Sequence, residues 1–243
     1  MLLERYQARV DELLREVRET QRETIIKAGK LIADTVANGG GVFLSGICHS
    51  IENDAIYRGG GPIFYKHFSW SLNVEQQGRE RPTDGMDASM EGLAAYALKK
   101  SRIRPGDVLV VGSVSGRTAS VVDLAYEAKK MGVHVIAFIS MKYATQVEPV
   151  HSSGRKLNEM VDLVMDNCAP AAEGMMDVEG IEAPYAAASG IASDYILWSM
   201  TSVAVDELLA RGITPGILKS ANFPGGNDYN KTVIEPHYEK YGW

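Results

Sequence analysis

The chain has 243 residues, 45% of them apolar, and a net charge of −6. That is enough apolar side chain for a substantial core, so disorder is not the default. An acidic chain without a basic run is a poor match for nucleic acid or an anionic membrane, which are met with clustered Lys and Arg. Cys48 and Cys168 lie far apart and outside any CxxC pattern, so neither a disulfide framework nor a structural zinc site is expected. The first residues are charged and no apolar run nears the roughly 18 residues of a membrane span, so the sequence predicts a cytoplasmic protein with reduced thiols.

Residues 2 to 37 lack proline and place Leu3, Tyr6, Val10, Leu13 and Val17 three and four apart, which predicts a helix with one apolar face. After Thr20 the apolar phase moves to Ile25, Ala28, Leu31, Ile32 and Val36, which predicts a bend or two helices burying different faces. The first stripe fits packing within the chain and, at its near-heptad spacing, a dimer seam. Gly39, Gly40 and Gly41 end the segment. From residue 42 short apolar runs alternate with Gly- and Ser-rich turns and helical patterns, as in a parallel sheet with crossover helices. The strands are Val42–Leu44, Pro62–Tyr65 or the stretch to Leu72, Asp107–Val111, Val133–Ile139 and Val161–Met165. The helices between them are Ser50–Arg58, Asp87–Lys99, Ala119–Met131 and a short one near Arg155–Met160. Residues 167–188 read as a loop, and Ile191–Leu209 as a long closing helix. The Gly- and Pro-rich tail from 212 to 243 reads as irregular structure laid over the surface, with its aromatic end docked. The chain thus divides into an N-terminal helical segment (1–38), a ligand-binding domain (39–211) and an irregular tail (212–243).

Gly112-Ser113-Val114-Ser115-Gly116-Arg117-Thr118 follows a buried strand and opens a helix. Ser113, Ser115 and Thr118 each offer a hydroxyl, Gly116 lets the backbone approach closely, and the helix adds unpaired N–H groups at its positive end. Together they form an anion cradle that needs no lysine, to which Arg117 can add a charge-assisted bond. A tight turn with an N-cap would use only one of these hydroxyls. There is no GxGxxG after the first strand and no GxxxxGK[ST], so neither a dinucleotide nor a nucleoside triphosphate is expected as a cofactor, and no HxxxH, HExxH or acidic cluster signals a metal.

This segment resembles the sugar isomerase (SIS) family, whose signature is a strand, a Ser-x-Ser-Gly-x-Thr loop, and a helix ending in a Lys/Arg-x-Gly turn. The second part reads here as Lys130-Met131-Gly132 leading into Val133–Ala137. Phe43–Ser50 is similar to the family's first strand and Gly-rich turn, and places Ser50 as a further phosphate-binding hydroxyl. The resemblance covers about residues 30 to 210 and is nearest to the phosphoheptose isomerases. It implies a three-layer αβα sandwich with a five-stranded parallel sheet, preceded by N-terminal helices, with a sugar phosphate over the carboxyl edge. It also implies a homodimer or homotetramer whose sites borrow residues across subunits.

The catalytic pattern departs from the family. Where the phosphoheptose isomerases carry a glutamate beyond the loop Ser, this chain has Arg58-Gly59-Gly60-Gly61, and Ile191–Leu209 lacks the late histidine. The candidate acids and bases near the loop are His49 and Glu52, each with a plainer reading: His49 positions a turn, and Glu52 answers a helix dipole. Glu80 and Glu91 read as solvated surface, His67 and His134 as packed, His151 as a rim residue or helix start, and Asp194 as a partly buried acid. The expectation is an isomerase or lyase acting on a sugar phosphate, with a non-catalytic sugar-phosphate sensor as the alternative.

Overall fold

The computed structural model describes residues 1–75, 77–79 and 89–242. One continuous helix, α1 (Leu2–Ala37), opens the chain, where the sequence predicts a bend or two helices. At 36 residues it is about 54 Å long. The shift of apolar phase has a local cause: the buried row Leu13, Val17, Gln21, Ile25 contains a glutamine. Gln21 is 9% exposed, and its Oε1 accepts the Asp166 backbone N–H at 3.1 Å. A polar side chain therefore occupies a core position and satisfies the end of a strand.

Five parallel strands form the sheet: β1 (Val42–Ser45), β2 (Tyr65–His67), β3 (Val108–Gly112), β4 (His134–Ile139) and β5 (Leu163–Asp166), in the order β2-β1-β3-β4-β5. Leu44 pairs with Val110, and Val110 with Ile136. Both faces are covered, which is why the strands read as unbroken apolar runs. Leu44, Val110, Ile136, Phe138 and Met165 face α1 and the closing helix α5 (Ser189–Ala210). Phe43, Leu109, Val111, Ala137 and Ile139 face α2 (Leu93–Lys100) and α3 (Ala119–Lys130). A short helix, α4 (Met141–Ala144), follows β4. The result is the expected three-layer sandwich.

Several segments differ from the sequence reading. The predicted helix Ser50–Arg58 shrinks to a 3-10 turn, Ile51–Asp54. The chain leaves it through Tyr57 at φ 56°, just before the three glycines at 59–61. The turn near Arg155–Met160 is likewise a 3-10 segment, Leu157–Glu159. The predicted start of the next helix at Asp87 lies outside the described residues, and α2 begins after Gly92. Residues 167–188 contain an antiparallel hairpin, β6 (Gly174–Val178) and β7 (Ile181–Ala187), joined by Glu179 and Gly180, the latter at φ 80°. Its outer strand is almost wholly exposed, so it lacks the alternation that marks a half-buried strand.

The tail is also more regular than its composition predicts. Residues 216–218 run antiparallel to 60–63, with Ile63 N–H donating to the Gly216 carbonyl at 2.9 Å. Helix α6 (Gly226–Tyr229), a π segment (Asn230–Ile234) and α7 (Glu235–Tyr241) then follow without a break. Gly225 precedes α6 in a left-handed conformation, and Pro236 stands within the continuous helical run, two residues after the π segment whose wider turn already interrupts the regular hydrogen-bond ladder.

Helices α1 and α5 pack closely because Gly29 has no side chain: a Cβ there would lie 2.5 Å from Val203 Cβ and 2.7 Å from the Met200 carbonyl oxygen. Gly29→Ala is therefore expected to destabilise the fold by about 1–3 kcal/mol, the usual cost of overpacking. The urea midpoint measures this, and an unchanged midpoint would mean that the two helices do not meet at this point.

Candidate functional site

The carboxyl ends of β1 and β3 carry two loops that touch. A Cβ on Gly112 would sit 2.9 Å from both Cys48 N and Ile47 Cα, so the β1 loop crosses directly over the end of β3. Glycine at this position brings Ser50 and the Ser113–Thr118 segment to one part of the sheet edge.

The second loop is pinned on three sides. Ser113 N–H donates to the Phe138 carbonyl at 3.1 Å, Ser140 N–H to the Val114 carbonyl at 2.9 Å, and Leu157 N–H to the Gly116 carbonyl at 2.8 Å. Gly116 has φ 68°, in the left-handed region that favours glycine. Ser113 is buried, and its Oγ lies 3.0 Å from Thr118 Oγ1. Ser115 is half-buried, and Arg117 and Thr118 are exposed. Arg117 forms no ion pair with a described residue. No side chain caps α3: Val121 N–H donates to the Thr118 carbonyl at 3.1 Å, and the Ala119 and Ser120 amides at the positive dipole end face this loop.

The first loop is strained. Cys48, His49 and Ser50 have φ 33°, 63° and 67°, a left-handed turn of three non-glycine residues closed by Ile51 N–H on the Ile47 carbonyl at 3.0 Å. Such backbone persists only where its surroundings over-determine it. Glu52 is one of the groups that do so. It is 2% exposed, with Oε1 accepting Gly46 N–H at 3.1 Å and Oε2 accepting Ile47 N–H at 2.9 Å. Both oxygens are thus engaged in holding the loop, while His49 and Ser50 are exposed on its rim.

The sequence reading missed a polar group beneath this rim. Asn167 donates to Ser193 Oγ at 3.1 Å and lies 3.7 Å from Cys48 Sγ, and its Oδ1 accepts Ala169 N–H at 3.1 Å. Burial pushes the Cys48 thiol up to about 11, with the Ser193 hydrogen bond opposing and the Glu173 carboxylate adding to the rise. It is therefore protonated at neutral pH and no nucleophile. Glu173 accepts Ser189 Oγ at 2.9 Å and Ser189 N–H at 3.2 Å, capping α5. It precedes that helix by 16 positions, so no local capping pattern reveals it. Burial raises the Asp194 carboxyl above its ordinary range, with Arg58 opposing, and its buried Oδ1 has no hydrogen-bond partner.

The remaining sequence candidates fall elsewhere. His151 is buried behind α3, where its Nδ1 accepts Ser153 N–H at 3.1 Å and its Nε2 lies 3.7 Å from Asp123 and 3.8 Å from Glu91. Asp123 in turn accepts Gly92 N–H at 3.0 Å and Ala94 N–H at 3.3 Å, and Glu91 accepts Ser152 N–H at 3.0 Å. This knot ties α2, α3 and the 151–153 turn together. His67 and His134 are exposed, contrary to the packed positions the sequence suggests: one lies on the edge strand, the other at the first residue of β4. Glu80 lies outside the described residues. Among the described residues no group of three His, Cys, Asp or Glu side chains is placed to hold a metal ion, and no helix is long and apolar enough to cross a membrane.

A parallel α/β sandwich with abutting hydroxyl-bearing loops at its carboxyl edge defines a protein of the SIS type. The SIS domain family model matches residues 5–140, and the chain belongs to that family. It is 36% identical to the UPF0309 protein of Streptomyces avermitilis, over 94% of this chain and 92% of the relative. It is 32% identical to the UPF0309 protein ABC0887 of Shouchella clausii, over 97% and 96%. Among solved structures, phosphoheptose isomerase from Neisseria gonorrhoeae superposes with a TM-score of 0.52 at 18% identity, over 85% of this chain and 98% of that one. That likeness is one of fold.

Two predictions follow from the first loop. Glu52→Gln turns one acceptor into a donor facing a backbone N–H, and is expected to cost about 1–3 kcal/mol in chemical denaturation. His49→Gly removes the left-handed penalty and is expected to raise stability by about 1 kcal/mol. A fall in stability for the glycine variant would mean that the His49 side chain itself supports the loop.

Proposed function

We propose that this protein binds a sugar phosphate on the Ser113–Thr118 loop and isomerises it. The observation that carries the reading is the cradle itself: several hydroxyls and a left-handed glycine, pinned by three backbone bonds, in front of a helix end that no side chain caps. A phosphate dianion would accept from the Ser115 hydroxyl and from the uncapped Ala119 and Ser120 amides at the start of α3. In this reading Ser50, Ser113, Ser115 and Thr118 hold the phosphate, Gly116 lets it approach the backbone closely while its own N–H stays on the Ser113 carbonyl at 2.9 Å, and Arg117 adds a charge at the rim. The resemblance to phosphoheptose isomerase supports a polyhydroxy aldehyde or ketone phosphate as the substrate class.

Aldose–ketose isomerisation takes a proton from the carbon beside the carbonyl, passes through an enediol, and returns a proton to the former carbonyl carbon. His49, exposed beside Ser50, is the group we assign to proton transfer. Glu52 is assigned as a positioning residue, because both of its oxygens already hold backbone amides. Asp194 lies on the late helix where the family's isomerases carry a histidine, and its raised carboxyl suits an acid. Residues 39–211 form the ligand-binding domain in this reading. The chain works in the cytoplasm as a homodimer or homotetramer, which suits a closing helix whose apolar residues lie on all sides.

A sensor that binds the same ligand without turnover is favoured by one observation: the acid expected beyond the loop Ser is replaced by Arg58 and three glycines. Incubation with pentose, hexose and heptose phosphates in deuterated water separates the two. Deuterium entering the substrate beside its carbonyl establishes the isomerase, and binding without exchange establishes the sensor. Ser115→Ala is expected to weaken phosphosugar binding by about 1–2 kcal/mol, read by calorimetry. Unchanged affinity would remove that hydroxyl from the site.

A further inference from the structure

Alongside the edge strand β2, between it and the end of α2, lies a groove of about 460 Å³ that takes no part in the cradle. Lys66, Lys100 and Arg102 line it, and no acidic side chain among the described residues does. In a chain with a net charge of −6 this is a local reversal of sign. None of the three cations forms an ion pair with a described residue. Lys66 is half-buried, donates to the Gly242 carbonyl at 2.8 Å, and lies 6.0 Å from the centre of the Tyr238 ring. Burial lowers its ammonium pKa, with Asp107 opposing, so an incoming anion would relieve a desolvated charge.

Aromatic rings line much of the rest, beside Ser69, Ala97 and Ser101. Phe68 is buried, Trp70 is half-buried, and Tyr238 is 45% exposed. Tyr57 is the least explained of them: its ring is 82% exposed and its backbone holds φ 56°, a conformation that costs a bulky residue free energy. The fold gains little from an aromatic ring left in water, whereas a flat ligand stacked on it would gain contact area.

We propose that this groove binds a nucleoside di- or triphosphate, with the base against the aromatic walls and the phosphates on the three cations. The volume falls within the range of about 300–1,000 Å³ typical of small-molecule sites. Several positive charges beside several aromatic rings match a ligand that carries both a polyphosphate and a flat ring, and a simple sugar phosphate supplies neither. The proposal is independent of what the cradle does. Tyr57 follows the Ile51–Asp54 turn, which itself follows Ser50, so an occupied groove would act on the phosphate loop through a few residues of backbone.

Equilibrium dialysis of the full chain against labelled ADP and ATP, beside pyrophosphate, ribose 5-phosphate and a short single-stranded oligonucleotide, tests this. The nucleotides are expected to bind at least about tenfold more tightly than pyrophosphate or ribose 5-phosphate, the difference a stacked ring provides. Lys100→Ala and Arg102→Ala alter exposed side chains that the core does not need. Each is expected to weaken nucleotide binding about tenfold or more, while Ser115→Ala leaves it unchanged. No nucleotide binding at millimolar concentration would overturn the proposal. So would pyrophosphate binding as tightly as ADP, which makes the groove a bare anion patch, or an oligonucleotide binding more tightly than either nucleotide. Loss of nucleotide binding in Ser115→Ala would overturn it by moving the ligand to the cradle.

Discussion

The candidate site depends on the missing side chain at Gly112. Because no Cβ stands there, the β1 loop lies across the end of β3, with Cys48 N and Ile47 Cα where a methyl group would be. The crossing keeps the left-handed turn at 48–50 beside the hydroxyl loop at 113–118. It also forces the β1 loop into a shape that its residues do not favour, and Glu52 offsets that cost through two backbone amides. A carboxylate accepting backbone N–H groups in a low-dielectric interior makes stronger bonds than a neutral acceptor. Close approach, strain and compensation are therefore parts of one local arrangement.

The same division of labour extends outward. The sheet is buried on both faces and has little freedom, so the loops at its carboxyl edge are held from below by β4 and from the side by Leu157. Behind α3, Asp123 captures two amides at the start of α2, and His151 stands between Asp123 and Glu91. Nearly every buried carboxylate near the site holds backbone. The rim that remains for a ligand consists mainly of hydroxyls, free amides and one arginine, a donor set matched to an anion.

Much of this was legible in the sequence. The unbroken apolar runs gave the strands, because a sheet covered on both faces needs no alternation. The Ser113–Thr118 loop was legible because hydroxyls and glycine concentrate between a strand and a helix. Interactions between distant residues were not legible. Glu173 caps a helix sixteen positions away, and Asn167 meets Ser193 and Cys48 only once β1, β3, β4 and β5 are assembled and α5 closes over them. Gln21 read as a break in a helix because its partner, Asp166, is 145 positions later. Glu52 read as a dipole-facing acid because its partners, five and six residues earlier, require a left-handed reversal that the residue types do not advertise. The tail misled through composition: Pro224, Gly225 and Gly242 fall at the ends of the helical run, and Pro236 inside it follows a π segment rather than breaking it.

The first turns of α1 have a consequence for mechanics. Arg5 donates to the Asp177 carbonyl at 2.6 Å, and Arg9 to the Met175 carbonyl at 3.1 Å, so two guanidinium groups grip the inner strand of the hairpin. That hairpin begins directly after Glu173, the residue that caps α5. Helix α1 thus acts as a splint: its second half is clamped in the core, and its first half steadies an otherwise thin two-stranded projection. Amide exchange in β6 and at the start of α5 should then rise and fall with the fraying of residues 2–9, because the same hairpin links the two helices.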